Sequence, residues 1–184
     1  MHLGTKHLSL LGLLLAFSVV LIVLSGVIET STLFLLAAAS FFVGIAFRET
    51  NKPLGVAFYL ASVFLSFILA PNKMYCITFA VISLYIVFIE LLRDKFQTDD
   101  NSNSEKNTKG LGHLGRILLK YGLFNLIFIP ILVFAPALII ATKLNPLSTI
   151  LFFLGGQIVF FIYDKAYEYF MVHYWGKFRR NFFR

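Results

Sequence analysis

Six apolar stretches divide this chain, at about Leu8–Ile28, Ser31–Phe47, Leu54–Ala70, Met74–Leu92, Ile117–Ala141 and Leu147–Val172, and most of each is free of charge. A helix rises about 1.5 Å per residue, so roughly 20 apolar residues cross the ~30 Å of hydrocarbon in a bilayer. Runs this long and continuous fit helices and not barrel strands, which alternate apolar and polar residues. Lipid offers no partner to open backbone groups, which leaves the helix as the only spanning form for such a run. The pattern predicts an all-α, polytopic membrane bundle of six transmembrane helices, one integral membrane domain over residues 1–184. Pro53 opens the third stretch at a helix-start position, and Pro71 closes it ahead of Asn72 and Lys73. Met1–His7 and the run behind it have the outline of a signal peptide. No small-x-small cleavage site bounded by a polar segment comes after it, so the run is read as a retained first helix.

Charge sets the orientation. Twelve lysines and arginines fall on the N-terminal side of this layout: Lys6, Arg48, Lys52, Arg93, Lys95, Lys106, Lys109, Arg116, Lys177, Arg179, Arg180 and Arg184. The opposite side has only Lys73 and Lys143. Positive residues collect in cytoplasmic loops, which puts both termini in the cytoplasm of a multi-pass cell-membrane protein. Composition agrees: 59% of residues are hydrophobic and 14% charged, against about half and a quarter in soluble domains. The net charge of +7 tracks the ends of apolar spans, a distribution that suits an anionic lipid surface and not nucleic acid.

The stretch Arg93–Gly115 separates four spans from two. Its centre, Gln97 to Asn107, is polar and low in complexity, and reads as a flexible cytoplasmic linker. Basic, amphipathic character returns over Gly112–Lys120. No Walker loop, dinucleotide fingerprint or His-Glu-x-x-His pattern occurs. His2, His7, His113 and His173 lie at span edges or tails with no metal-ligand spacing, and Cys76 stands alone. No catalytic, cofactor-binding or metal residue is assigned, and the chain is not read as an enzyme.

Three sets of polar residues remain as candidates. Glu29, Asn72 and Lys73 occupy the short outer turns, where they would form the mouth for a small solute, with Lys143 and Asn145 in the remaining turn. Asn125 in the fifth span and Gln157 in the sixth, beside Gly155 and Gly156, are candidate partners inside the bundle, where an amide pair satisfies what lipid cannot. Pro130 and Pro136 remove backbone bonds from the fifth span and favour a kink. Asp164, Lys165 and Glu168 sit late in the sixth span. A carboxylate in hydrocarbon costs roughly 2.5–3.5 kcal/mol on insertion scales, so it needs a partner or an exit to the headgroups. Glu90 and Lys120 lie near the same cytoplasmic edge and complete a candidate charge network. Small residues recur four apart at Gly12 and Ala16, Ser40 and Gly44, Ala57 and Ala61, and Ser62, Ser66 and Ala70. Such stripes permit close helix contact, within the bundle or with another subunit.

Six short spans, scant loops, inward termini and small-residue stripes resemble the substrate-binding S component of energy-coupling-factor transporters. The segments Phe42–Thr50 and Leu69–Lys73, with Tyr163-Asp164, are also similar to small integral membrane proteins of Gram-positive bacteria. The S-component resemblance implies a subunit that captures a vitamin or metal from outside and pairs with an integral coupling subunit and two ATPases. That family makes its coupling contact through Ala-x-x-x-Ala on the first span; here the first span has Gly12 and Ala16, and the Ala57/Ala61 pair is on the third. The leading expectation is a membrane subunit for uptake of a small solute bound toward the outer half. The alternative is a non-catalytic accessory or assembly protein of the cell membrane.

Overall fold

The computed structural model describes residues 5–102, 108–134 and 146–178. The chain is all-helical over these residues: α1 (Thr5–Ser25), a single 3-10 turn (Glu29–Ser31), α2 (Thr32–Glu49), α3 (Lys52–Leu69), α4 (Lys73–Ser102), α5 (Thr108–Phe134) and α6 (Pro146–Tyr169), which runs on through a π-helical turn at Phe170–Trp175. Four helical segments, His7–Ser25, Thr32–Glu49, Lys52–Leu69 and Lys73–Arg93, are long and apolar enough to cross a membrane, and Ile117–Ile129 is a shorter apolar segment. The protein is therefore a helical, multi-pass membrane protein.

The boundaries obey local chemistry. Pro53 sits in the first turn of α3, where its missing N–H breaks no helix bond, and Asn51 ahead of it is extended. Asn72 precedes α4 and its Oδ1 accepts a hydrogen bond from the Met74 N–H at 3.0 Å, which satisfies one of the orphan donors of the first turn. Thr50 ends α2 by returning its backbone N–H and hydroxyl to the Ala46 carbonyl. The stretch Arg93–Gly115, expected as a linker, is helical over 93–102 and 108–115. The reason is cooperative: α4 is already nucleated by its apolar part, and each further residue adds a hydrogen bond at little cost. At 30 residues α4 is about 45 Å long, well beyond the hydrocarbon thickness. The helix that contains the fifth apolar stretch, Ile117–Ala141, begins earlier, at Thr108, and stays helical through Pro130. Pro136 and the remainder to Ala141 lie outside the described residues, as do Lys143 and Asn145.

The helices gather into two compact units, Met1–Leu123 and Phe124–Arg184. In the first, α2 lies against α1, α3 and α4, and α3 also packs on α1 and α4. The two ends of this bundle can be told apart. Gly26 after α1 meets Pro71 after α3 so closely that a Cβ on Gly26 would lie 2.9 Å from Pro71 Cγ. At the other end Lys52 Nζ donates to the Leu91 carbonyl at 3.1 Å. α1 and α3 thus run in one direction, α2 and α4 in the other.

The interior of the first unit mixes large apolar side chains with small hydroxylated ones. Ser18, Ser25, Ser40, Ser62, Ser66 and Ser83 are all fully buried, among Ile22, Leu36, Val43, Phe79 and Ile86. Most of these hydroxyls donate to a carbonyl of their own helix: Ser40 to Ala37, Ser62 to Tyr59, Ser66 to Ser62 and Ser83 to Phe79. They act as small packing residues whose polarity is closed locally, and backbones approach closely around them. Conversely Phe34, Leu60, Phe64 and Ile68 face outward. Large apolar groups on the outer surface suit a surround of lipid, and buried small residues let the helices approach closely.

Candidate functional site

The end of the first unit that carries the α2–α3 junction is built from charges. Arg48, in the last turn of α2, donates from Nε to Glu90 Oε1 at 2.9 Å, and Arg93 donates from Nη1 to Glu90 Oε2 at 3.0 Å. The Glu90 side chain is 3% exposed, against 23% for Arg48 and 40% for Arg93. One carboxylate is thereby held between two guanidinium groups, each oxygen engaged, which offsets its desolvation. Glu49 is buried beside Arg48 in sequence, and Lys52 reaches α4 at Leu91. Among the candidates for a cytoplasmic-edge network, the described contacts join Glu90 to Arg48 and Arg93, two residues that reasoning from sequence leaves out of it. A signal is present: Arg48 and Glu90 lie at matching ends of antiparallel spans with opposite charge.

At the opposite end, the outer-turn candidates take part in the fold. Asn72 caps α4 through its bond to Met74. Lys73 Nζ donates to the carbonyls of Phe67 and Ala70, at 3.3 Å for the latter, and lies 5.0 Å from the centre of the Phe67 ring. A cation on the terminal carbonyls of α3 is favourably placed against the helix dipole. Glu29 opens the 3-10 turn; its side chain lies outside the described part. Cys76 is buried under this end, its thiol donating to the Ser66 carbonyl at 3.2 Å.

The second unit brings together the two amides. Gln157 Nε2 donates to Asn125 Oδ1 at 2.8 Å, both side chains half-buried. Gln157 is near the midpoint of α6. Aromatic packing surrounds it: Phe124 stacks on Phe160 at 4.0 Å and on Phe128 at 5.0 Å. Gly156 makes room for Phe128, whose Cζ would be 2.5 Å from a Cβ there, whereas Gly155 faces open space. Toward the end of α6, Lys165 Nζ lies 3.6 Å from Glu168 Oε2, with both side chains about half exposed. Asp164 is half-buried, as is Lys120 on α5. Among the described residues no three histidine, cysteine or acidic side chains gather as a metal ion would need.

The small-residue stripes divide cleanly. Ser40 and Gly44 on α2, Ser62 and Ser66 on α3, and Ala70 just after it, are buried within the first unit. Gly12 and Ala16 on α1, and Ala57 and Ala61 on α3, are exposed, and a Cβ on Gly12 would touch nothing. No family model matches this chain, and neither the curated proteins nor the solved structures contain a match to it.

Proposed function

We propose that the chain is a non-catalytic integral membrane subunit, with six spans and both termini in the cytoplasm, that works by pairing laterally with another membrane protein. The observation that carries this reading is the outward position of Gly12, Ala16, Ala57 and Ala61, while other small residues serve the interior. Small residues on a lipid-facing helix surface allow a second helix to approach closely, and van der Waals packing drives such association in a bilayer. α1 and α3 are neighbours and run in the same direction. Both pairs are centred in the half of their helices nearer the Arg48 end. Photocrosslinkers placed at Ala16 and Ala57 in native membranes should yield a discrete protein adduct, and Gly12→Ile with Ala61→Ile should abolish it. Adducts with lipid alone would dismiss the reading.

The alternative is uptake of a small solute. It is favoured by the Asn125–Gln157 contact, an amide pair at mid-depth able to exchange its mutual hydrogen bond for bonds to a polar solute. In this reading the solute site is at the amide pair and not at Asn72 and Lys73, whose polar groups serve as helix caps. The resemblance to S components would then supply the partners, an integral coupling subunit and ATPases. Mass spectrometry of the purified, gently solubilised protein separates the two readings: an integral partner without solute supports the first, a retained solute lost on Gln157→Leu the second.

A further inference from the structure

The C-terminal continuation of α6 is wound and decorated unlike any other described segment. α6 has 24 residues from Pro146 to Tyr169, about 36 Å of helix, enough to cross the hydrocarbon. In the six-span reading proposed above, on which this inference rests, the chain beyond Tyr169 emerges at headgroup depth. There the helix widens into the π turn Phe170–Trp175, with helical backbone angles at both flanks. Tyr167, Met171 and Trp175, four apart, are all buried. In an α-helix such steps drift by about 40° each; the wider turn takes up the drift and holds the three on one face.

The opposite face is open. Tyr169, Val172, Tyr174 and Phe178 are each more than half exposed. Tyr169 stacks on His173 at 4.6 Å and meets Tyr174 edge-on at 6.0 Å, so the rings form one amphipathic surface. From Tyr169 to Arg184 there is no acidic residue, while Lys177 is exposed and Arg179, Arg180 and Arg184 come after it in the sequence. Tyrosine and tryptophan rings settle where hydrocarbon gives way to headgroups. Cations beside them meet the phosphates of the leaflet, each contributing about five-fold in affinity for an anionic surface.

We propose that the segment from Tyr169 onward is an anionic-phospholipid anchor, in which the exposed aromatic face seats at the acyl–headgroup boundary and Lys177 with the arginines after it recruits acidic headgroups. Its occupant is the bilayer and not a protein, because the exposed face pairs rings with cations and lacks the small residues that a packed helix would need. Trp175 is the one tryptophan of the chain, stacked on Phe178 at 5.7 Å, and reports on this segment without labelling. The full chain is reconstituted into phosphatidylcholine vesicles doped with acyl-brominated phosphatidylglycerol or, at the same fraction, acyl-brominated phosphatidylcholine, and Trp175 quenching is measured. The expected result is an apparent affinity at Trp175 about five-fold or more in favour of phosphatidylglycerol. It should fall toward parity in high salt and in the triple variant Lys177→Gln, Arg179→Gln, Arg180→Gln. Equal quenching by the two lipids, quenching by neither, or a preference indifferent to salt overturns the proposal, and the salt titration decides it on the unaltered protein if the triple variant fails to fold.

Discussion

Arg48 Nε and Glu90 Oε1 meet at 2.9 Å across 42 residues of sequence, joining the end of α2 to α4. Arg93 takes the other carboxylate oxygen from within α4 itself, and the neighbouring Lys52 reaches the Leu91 carbonyl. Three elements of the first unit are thus tied at one end by a group whose charge is almost wholly removed from solvent. The opposite end is closed by different means, Gly26 against Pro71 and Lys73 over the α3 terminus.

Removal of the central carboxylate should be the most damaging single change at this end. Glu90→Gln leaves two guanidinium groups facing a neutral amide, and breaking a buried pair costs about 3–5 kcal/mol. Partial exposure of both arginines favours the lower part of that range. Arg93→Gln, on the more exposed partner, should cost about 1 kcal/mol or less. Reversible unfolding in mixed micelles measures both; equal losses for the two variants would show that Glu90 is not the centre of the cluster.

Glycine substitutions should separate packed from lipid-facing positions. A Cβ at Gly55 would fall 2.5 Å from Phe47 Cγ, and one at Gly156 2.5 Å from Phe128 Cζ. Phe47 is buried and meets Gly55 with the base of its ring, so Gly55→Ala should destabilise by about 1–3 kcal/mol. Half-buried Phe128 meets Gly156 with the far end of its ring, which can shift, so Gly156→Ala should cost about 1 kcal/mol or less. Gly12→Ala and Gly155→Ala meet open space and should be neutral or stabilising by up to about 1 kcal/mol through helix propensity. The same unfolding measurement ranks all four, and a loss at Gly12 comparable to that at Gly55 would contradict the packing.

Much of this architecture is legible in the chain because membrane spans are set by length, charge and proline. The α2–α3 junction is announced by Arg48, Glu49, Lys52 and Pro53, and the α3–α4 turn by Pro71 and Asn72. What each span turns toward its neighbours is much less legible. In lipid both faces of a helix are apolar, so nothing in their pattern says that Ser62 and Ser66 point inward while Ala57 and Ala61 point outward. The polar side chains have the same ambiguity. Lys73 reads as open to solute, yet its reach is long enough to fold back on Ala70. Glu90 reads as free to join any cation at its membrane edge, and only the packing of α2 on α4 selects Arg48.

The amide pair in the second unit should contribute a measurable coupling. Gln157 and Asn125 are on different helices and bond at 2.8 Å. Hydrogen bonds between membrane helices couple by about 0.6 kcal/mol on average, and about 1.7 at most. A cycle of Asn125→Leu, Gln157→Leu and the double variant should give a value in that range, with the double variant nearer wild type than the sum of the singles. Strict additivity would mean that the contact does not persist in the membrane.

The orientation proposed from charge can be tested at two positions whose ends of the bundle are fixed by contacts. Val27 is exposed in the turn beside the Gly26–Pro71 contact, and Asn51 is exposed at the junction beside Arg48 and Lys52. Cys76 is buried and hydrogen-bonded to Ser66; Cys76→Ser keeps a donor there and removes the background thiol. Val27 is preferable to Asn72 as the outer probe, since loss of the Asn72 cap would cost roughly 1 kcal/mol. With a membrane-impermeant maleimide on intact cells, Val27→Cys should react and Asn51→Cys should react only after permeabilisation. The charge rule requires this assignment, because Arg48, Lys52 and Arg93 share the Asn51 end. The reverse labelling would invert the topology and place the charged cluster outside the cell.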